Sequence, residues 1–311
     1  MKRSIAIFMV LILLGCLGQE SPQPEGEFPK TIVDDTGKEV LIEEHPERII
    51  SLAPSNTEIL YAIGVGEKIV GTTDYCTYPP DAVHTEKVGG FSDVNSEKVI
   101  SLNPDIVVAT SNHQEIAERL EELGIPVIIL NPLTLDDILN NITLIGVAVG
   151  EEEAAQDLRA DCEARIEAVK ENAPSEPLTL YVEGWVSTSG YGSFGPGSFV
   201  DDLIFLAGGR NIAADADTSY PNISSETIIA ENPVLIILVS GMGGVGIEEV
   251  VSRPGWDTIA AVKNNAIYVI DGDLVLRPGP RIVEGLEILA EFINNAVYES
   301  SEVFLPMWAC A

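Results

Sequence analysis

The sequence predicts an α/β protein with two Rossmann-like lobes, joined by a single long helix, and a ligand cleft between the lobes. Three observations predict this fold. Short apolar strands alternate with helices in each half of the chain, one long charged helix separates the halves, and one helix–strand pattern occurs twice. Strands that alternate with helices are typical of a largely parallel sheet covered on both faces.

The repeated pattern occupies residues 95–108 (NSEKVISLNPDIVV) and residues 224–237 (SSETIIAENPVLII). Each copy starts with an Asn or Ser that can cap a helix and places a glutamate, Glu97 or Glu226, in the first turn, where the helix dipole favours negative charge. Each then ends its helix at Asn-Pro and enters a strand rich in β-branched residues. The pattern indicates two lobes of the same build, each presenting one glutamate. Chance similarity between two common helix–strand connections is the alternative.

The other elements follow from apolar periodicity, capping residues and glycine stops. In the first half, the sequence predicts a hairpin turning at residues 34–37, strands at 48–52, 68–72, 106–109 and 127–130, and helices at 55–64 (starting with the capping box Ser55–Glu58) and 114–123. Mid-chain, it predicts helices at 134–149 and 151–172. In the second half, it predicts strands at 178–183 and 266–270, a glycine- and aromatic-rich loop at 185–197, and helices at 198–207 and from about residue 280.

The N-terminus has the pattern of an export signal, in which two cations and an apolar run precede Leu13-Leu14-Gly15-Cys16. The run is too short to span a bilayer comfortably. We interpret residues 1–15 as a signal peptide. The last four residues resemble a lipoprotein processing site, so we expect Cys16 to be lipidated and residues 16–29 to tether the body to the outer face of the cytoplasmic membrane. Cleavage by ordinary signal peptidase is the alternative.

We expect an N-terminal lobe at 30–149, a linking helix at 150–173 and a C-terminal lobe at 174–311. The formal net charge of −32 disfavours nucleic acid as a partner, because an acidic surface repels phosphate. Beyond Cys16, three cysteines lie at scattered positions, which predict neither a disulfide framework nor a metal site.

Several stretches of the body carry a family resemblance. They are RIISLAPSNTEILYAIG, GTTDYCTYPPDA, the repeat itself, FGPGSFVDDLIFLAGGRN and WDTIAAVKNNAIYVIDGDLVLRPGPR. Together they resemble the substrate-binding proteins of metal-chelate ABC importers, and the cobalamin-binding type is nearest in pattern. The resemblance implies a non-enzymatic extracytoplasmic protein without a cofactor, which delivers a corrinoid to a permease dimer with its ATPase. Ferric siderophores and haem are the alternative ligands within this family.

The resemblance also implies roles for individual residues. Glu97 and Glu226 match the two glutamates that dock onto permease arginines. The positions that match ligand contacts are Phe91, Tyr220, Asp273, Arg277 and either Tyr75 or Tyr78. Trp185 and Tyr191 join them as candidates because they lie in a glycine-rich loop, and a large flat ligand needs aromatic walls. The alternatives are that the loop aromatics pack on their own lobe and that Asp273 pairs with Arg277.

A rival pattern lies in the second half. Residues 241–246 fit GxGxxG after an apolar strand, and Asp271 follows at the spacing of a dinucleotide-binding fingerprint. This pattern is the basis for the alternative of an extracellular enzyme with a nucleotide-type cofactor, although Pro254 cuts the helix that should follow. The three histidines form no catalytic motif. His113 is interpreted as a solvated loop residue, with axial ligation of a chelated metal as the alternative.

Overall fold

The computed structural model describes residues 27–302. The predicted signal peptide, Cys16, most of the tether and residues 303–311 lie outside the described residues. The described strands are β1 (Lys30–Val33), β2 (Glu39–Ile42), β3 (Ile49–Ser51), β4 (Ile69–Thr72), β5 (Ile106–Thr110), β6 (Val127–Leu130), β7 (Leu178–Glu183), β8 (Trp185–Ser187), β9 (Gly190–Gly192), β10 (Gly209–Asn211), β11 (Asn222–Ile223), β12 (Leu235–Ser240) and β13 (Ile267–Asp271).

The α-helices of the same range alternate with these strands in both halves of the chain. They are α1 (Pro54–Ala62), α2 (Ser96–Ser101), α3 (Gln114–Glu121), α4 (Leu135–Val149), α5 (Glu152–Glu171), α6 (Phe199–Leu206), α7 (Ser225–Glu231), α8 (Ile247–Ser252), α9 (Ala260–Lys263), α10 (Gly272–Val275) and α11 (Ile282–Glu302). None of these helices is long and apolar enough to cross a membrane.

Two parallel four-stranded sheets form the centres of two lobes. The N-terminal lobe has the strand order β4-β3-β5-β6, and the C-terminal lobe has the order β10-β7-β12-β13. The hairpin β1-β2 lies beside the first sheet, and the small antiparallel sheet β11-β9-β8 belongs to the second lobe. The prediction of an α/β fold with two similarly built lobes is therefore confirmed.

The sequence repeat is also a structural repeat. Asn95 caps α2 by accepting a hydrogen bond from the Lys98 amide at 3.0 Å, and Ser224 caps α7 in the same way. After each helix an asparagine, Asn103 or Asn232, takes a left-handed conformation with φ of 44° or 46°. Both helices lead into the third strand of their sheet, β5 or β12. The two copies of the pattern therefore occupy equivalent positions in the two sheets.

The central strands are buried on both faces of the sheet. Successive side chains along a strand point alternately into the core on one face and the core on the other. In β5, Ile106 and Val108 enter a core shared by both lobes, while Val107 and Ala109 face a second core on the other side of the sheet. The shared core continues through α4, α5 and α11, where Cys162 and Ile166 of α5 belong to it. The two lobes are therefore packed together behind the cleft by continuous apolar contact.

Helix α5 lies between the two lobes in the chain and contacts elements of both. Lys30 of β1 forms an ion pair with Glu152 in its first turn. Arg165, farther along, donates two hydrogen bonds to Glu287 of α11 at 2.8 and 2.6 Å. The helix lies within the predicted linking segment, whose boundaries at 150 and 173 stay predictions.

One predicted helix start was wrong. The capping box at Ser55–Glu58 does not form, because α1 begins earlier, at Pro54, and Ala53 takes the N-cap position without a side-chain hydrogen bond. Proline suits this first helical position, since it has no amide hydrogen to leave unpaired. The Glu58 carboxylate, free of a capping role, pairs with Arg281 instead.

Candidate functional site

A cavity of about 760 Å³ lies between the two lobes. The N-terminal lobe contributes the loops after β3 and β5 and the segments around Tyr75 and Phe91, and the C-terminal lobe contributes Met242 and residues 276–278. The strands β3, β5, β12 and β13 all end beside it, which is the usual ligand position in parallel α/β sheets. A groove of about 640 Å³ along β2 is lined by residues of the N-terminal lobe alone, so it is not the predicted cleft.

Three of the predicted ligand residues line this cavity, namely Tyr75, Phe91 and Arg277. Tyr75 is 59% exposed, so its ring is available to a ligand. The Phe91 ring lies edge-on to the His113 ring, with 5.1 Å between the centroids, and the Phe91 carbonyl lies 2.7 Å from His113 Nε2. Tyr75 and Phe91 therefore form an aromatic wall of the cavity, and the contact with His113 holds the Phe91 backbone in place.

His113 is a buried structural residue, and both interpretations made from the sequence were wrong. Its Nδ1 accepts a hydrogen bond from the Thr110 amide at 3.1 Å, so its Nε2 carries the proton that is donated to Phe91. Burial lowers the pKa of His113 despite the Phe91 hydrogen bond. With both ring nitrogens engaged, neither nitrogen is free for a metal.

Asp273 and Tyr78 lie beside the cavity rather than in its wall. Asp273 Oδ1 lies 2.8 Å from Arg277 Nη2, so the predicted acid and base pair with each other. The Tyr78 ring stacks under the guanidinium of Arg281, whose Cζ lies 3.9 Å from the ring centroid. Arg277 Nη1 is buried and has no hydrogen-bond partner among the described residues. It lies 3.8 Å from Glu58 Oε1, while the Arg277 side chain as a whole is 19% exposed and lines the cavity.

The candidate ligand-binding aromatic residues of the C-terminal lobe lie in two separate groups. Trp185, Phe194 and Tyr220 contact one another, with ring centroids 5.8 to 6.5 Å apart, and Tyr220 remains 57% exposed. The group is near the cavity, because a side chain at Gly184 would lie 2.8 Å from the Phe194 ring and 3.7 Å from the sulfur of Met242. Trp185 and Tyr220 do not line the cavity itself, and their ligand contacts stay predictions.

Tyr191 lies in the other group, inside the lobe. Its ring packs against the guanidinium of Arg253 at 4.0 Å and against the Trp256 ring at 5.1 Å. Arg253 is buried and makes two hydrogen bonds with Glu183, at 2.6 and 2.7 Å. The structure therefore shows the own-lobe packing that was the alternative for Tyr191, and a role in ligand binding stays a prediction.

Sequence reasoning missed an ion pair next to the cavity. Glu58 of α1 accepts two hydrogen bonds from Arg281, at 3.0 and 2.6 Å, and its side chain is 2% exposed. Arg277 Nη1 lies 3.8 Å from the same carboxylate. Burial raises the pKa of Glu58, and the hydrogen bond and charge of Arg281 oppose that shift. The only local signal was an acid within an apolar helix, and the sequence gives no hint of its partner.

Lys87 is a second residue that sequence reasoning missed, and it holds the loop that carries Tyr75 and Tyr78. The Lys87 ammonium lies within hydrogen-bond distance of four oxygens of that loop, at 2.9 to 3.3 Å. They are Thr72 Oγ1 and the carbonyls of Thr73, Cys76 and Ala82. The Lys87 side chain thus supplies, between β4 and Ala82, hydrogen bonds that regular secondary structure would otherwise supply.

The glycine-rich loop 241–246 borders the cavity through Met242. Gly241 and Gly243 have φ of 85° and 81°, a conformation that favours glycine. The helix after it, α8, has only six residues. Asp271 caps α10 by accepting a hydrogen bond from the Asp273 amide at 3.0 Å. The fingerprint glycines and acid therefore serve turn and cap geometry here.

Among the described residues, no group of three His, Cys, Asp or Glu could hold a metal ion.

Glu97 and Glu226 are both exposed and lie in the first turns of α2 and α7. The neighbouring serines anchor these turns, since Arg119 donates to Ser96 Oγ and Trp256 Nε1 donates to Ser225 Oγ, each at 2.8 Å. The two glutamates therefore stand at equivalent, well-supported positions of the two lobes.

The model of the periplasmic binding protein family matches residues 49–274, which include both sheets and most of the cavity wall. This chain belongs to that family. An ABC transporter substrate-binding lipoprotein of Bacillus subtilis is 34% identical over 304 residues, which cover 93% of this chain and 95% of that protein.

Solved structures of the family agree with the two-lobed fold. The periplasmic vitamin B12-binding protein of Vibrio cholerae superposes with a TM-score of 0.70 at 29% identity, over 81% of this chain and 98% of that one. A periplasmic heme-binding protein from Roseiflexus gives a TM-score of 0.71 at 29% identity, over 80% and 98% of the two chains. As a periplasmic binding protein, this chain is an extracytoplasmic component of an ABC importer and binds a small molecule rather than catalysing a reaction.

Proposed function

We propose that this periplasmic binding protein captures a corrinoid of the cobalamin type in the interlobe cavity and delivers it to an ABC importer. The observation that carries the proposal is the cavity wall, in which aromatic and apolar side chains from both lobes surround one guanidinium, that of Arg277. A volume of about 760 Å³ lies within the usual range for small-molecule sites.

The charge of the wall favours a neutral chelate over an anionic one. Among the described residues, Arg277 is the one cation that lines the cavity, Asp93 also lines it, and Asp273 already pairs with Arg277. An anionic ferric siderophore would need several unpaired cations to offset the desolvation of its charge. A corrinoid carries neutral amide side chains, whose carbonyls can accept hydrogen bonds from the Arg277 guanidinium. The corrin ring can face Phe91 and Tyr75.

Haem is the second candidate, because the cavity offers Tyr75 and Met242, and both residue types serve as axial ligands of haem iron. The heme-binding relative from Roseiflexus supports this alternative at the level of the family.

A ligand panel separates the candidates. Thermal unfolding would be followed with cyanocobalamin, cobinamide, haem and ferric siderophores, since a ligand at about 100 times its Kd stabilises the native state by about 2.7 kcal/mol. Stabilisation by the corrinoids supports the proposal, and stabilisation by haem or a siderophore alone contradicts it.

For delivery, we propose that Glu97 and Glu226 dock onto two cationic patches of a permease dimer. Two fixed, exposed anions at equivalent positions of similar lobes suit a pseudo-symmetric partner, for which charge pairs set orientation and encounter rate.

We further propose that Cys16 is lipidated and holds the protein at the outer face of the membrane. A Cys16→Ser variant found in the soluble fraction, with the wild type in the membrane fraction, would support the anchor; the same fraction for both would contradict it.

A further inference from the structure

One desolvated ion pair joins the two lobes next to the ligand cavity. Glu58 belongs to α1 of the N-terminal lobe, and Arg281 directly precedes α11 of the C-terminal lobe. The guanidinium makes two hydrogen bonds to the carboxylate, at 3.0 and 2.6 Å, across 223 positions of sequence. The exposed fractions are 2% for the Glu58 side chain and 17% for that of Arg281, so water competes little for these bonds.

The backbones of the two lobes also approach closely at this point. A side chain added at Gly279 would lie 3.3 Å from Glu58 Oε2 and 3.3 Å from the Cα of Ser55. Ser55 lines the cavity from one lobe, and Pro278 lines it from the other. The separation of the cavity walls is thus set where Glu58 and Arg281 meet.

The same pair contacts a candidate ligand residue from each lobe. The Tyr78 ring of the N-terminal lobe lies under the Arg281 guanidinium, 3.9 Å from its Cζ. Arg277 of the C-terminal lobe places Nη1 3.8 Å from Glu58 Oε1. A change in the pair would therefore move Tyr78, beside the cavity, and Arg277, in its wall.

We propose that Glu58 and Arg281 are positioning residues that form an interlobe clamp, which fixes the width of the cleft and the places of Tyr78 and Arg277 before any ligand arrives. The planar guanidinium suits this task, because its two parallel bonds fix orientation as well as distance. Loss of either partner leaves the other without its two hydrogen bonds in a site that water barely reaches, which favours arrangements in which the lobes separate or rotate.

The effect of the clamp on ligand affinity rests on the proposed function, whereas its effect on lobe geometry does not. If the lobes sample open arrangements without the clamp, only a fraction of molecules has the binding-competent cleft. The apparent affinity falls in proportion to that fraction, so a drop to one tenth weakens binding about tenfold. Neither side chain lines the cavity, so such a loss would act through geometry.

The clamp is tested without ligand by spin-label distance measurements between the lobes. Labels would be placed at Glu118 and Lys263, which are exposed residues of the N-terminal and C-terminal lobes. Cys16 and Cys310 would be replaced by serine, while the buried Cys76 and Cys162 remain. In Glu58→Gln and Arg281→Lys we expect a broadened or displaced distance distribution relative to the parent.

Glu183→Gln is the matched control, because Glu183 forms a two-bond pair with Arg253 inside one lobe, and that pair is buried even more completely. It should lower stability and leave the interlobe distribution unchanged. If Glu58→Gln fails to fold, Arg281→Lys alone tests the clamp. We expect this variant to fold, since it keeps a cation opposite Glu58. A parental distribution in the folded variants overturns the clamp. Calorimetry with cyanocobalamin then reports on the proposed function separately, since a wild type that does not bind refutes that function and leaves the distance result standing.

Discussion

Removal of the Lys87 ammonium should destabilise the loop that carries Tyr75 and Tyr78. The Lys87→Met change keeps most of the side-chain length and deletes the donors that reach Thr72 Oγ1 and three backbone carbonyls. Thr72, Thr73, Cys76 and Ala82 are all fully buried residues, at 0% exposure, so their oxygens have little access to replacement water.

The expected cost follows from the number of bonds. An ammonium has three protons, so at most three of the four contacts can be well formed at once. Hydrogen bonds to a charged group contribute about 1.5–3 kcal/mol each. Lys87 is only half-buried, and some solvent replacement reduces the sum. We therefore expect a loss of about 2–4 kcal/mol in the free energy of unfolding.

Equilibrium unfolding in urea measures this loss as a lower midpoint with an unchanged slope. Lys263→Met is the control, because Lys263 is exposed at the end of α9 and its replacement should change stability by less than about 0.5 kcal/mol. Hydrogen exchange should also accelerate at the Cys76 amide, which donates to the Thr73 carbonyl. A Lys87→Met variant as stable as the control would show that the four contacts carry no net stability and would refute this reasoning.

Three further predictions concern the ligand, the permease and pH. Phe91→Ala and Tyr220→Ala should each weaken cobalamin binding by about 1–3 kcal/mol in calorimetry, since each removes a large apolar face, and wild-type affinity in both would contradict aromatic contacts of these two residues with the ligand. Glu97→Ala with Glu226→Ala should keep ligand affinity and abolish uptake and permease binding, and uptake at the wild-type rate would refute the docking assignment. His113 has a lowered pKa in the native state, so the unfolded chain binds its proton first. Stability should therefore fall as the pH drops below about 6.5, and His113→Gln should flatten that fall in urea unfolding; an identical pH profile would exclude His113 as its source.

Much of the fold could be predicted from the sequence because its signals are local. The repeat at 95–108 and 224–237 combines caps, a short apolar period and an Asn-Pro stop, and the structure shows α2 and α7 with matching left-handed asparagines. The α5 helix was predicted to within a residue at each end. The start of α1 was missed, because two local signals competed there and the proline at the first position prevailed over the capping box.

The candidate site was predictable only in part, because its geometry depends on contacts between distant segments. Phe91 and Arg277 were identified and do line the cavity. Tyr191 was predicted to lie in a loop like Tyr75, but it belongs to β9 and packs on Arg253, a residue whose nearness no local pattern reveals. The Glu58–Arg281 pair spans 223 positions, so only the assembled lobes show it.

The most direct test of the central claim is a calorimetric titration of the purified wild-type protein with cyanocobalamin, alongside haem and a set of anionic ferric siderophores. The interlobe cavity, with its aromatic wall and the guanidinium of Arg277, predicts saturable binding of one corrinoid per chain and weaker or no binding of the siderophores. Saturable binding of a ferric siderophore or of haem, with none of any corrinoid, would contradict it.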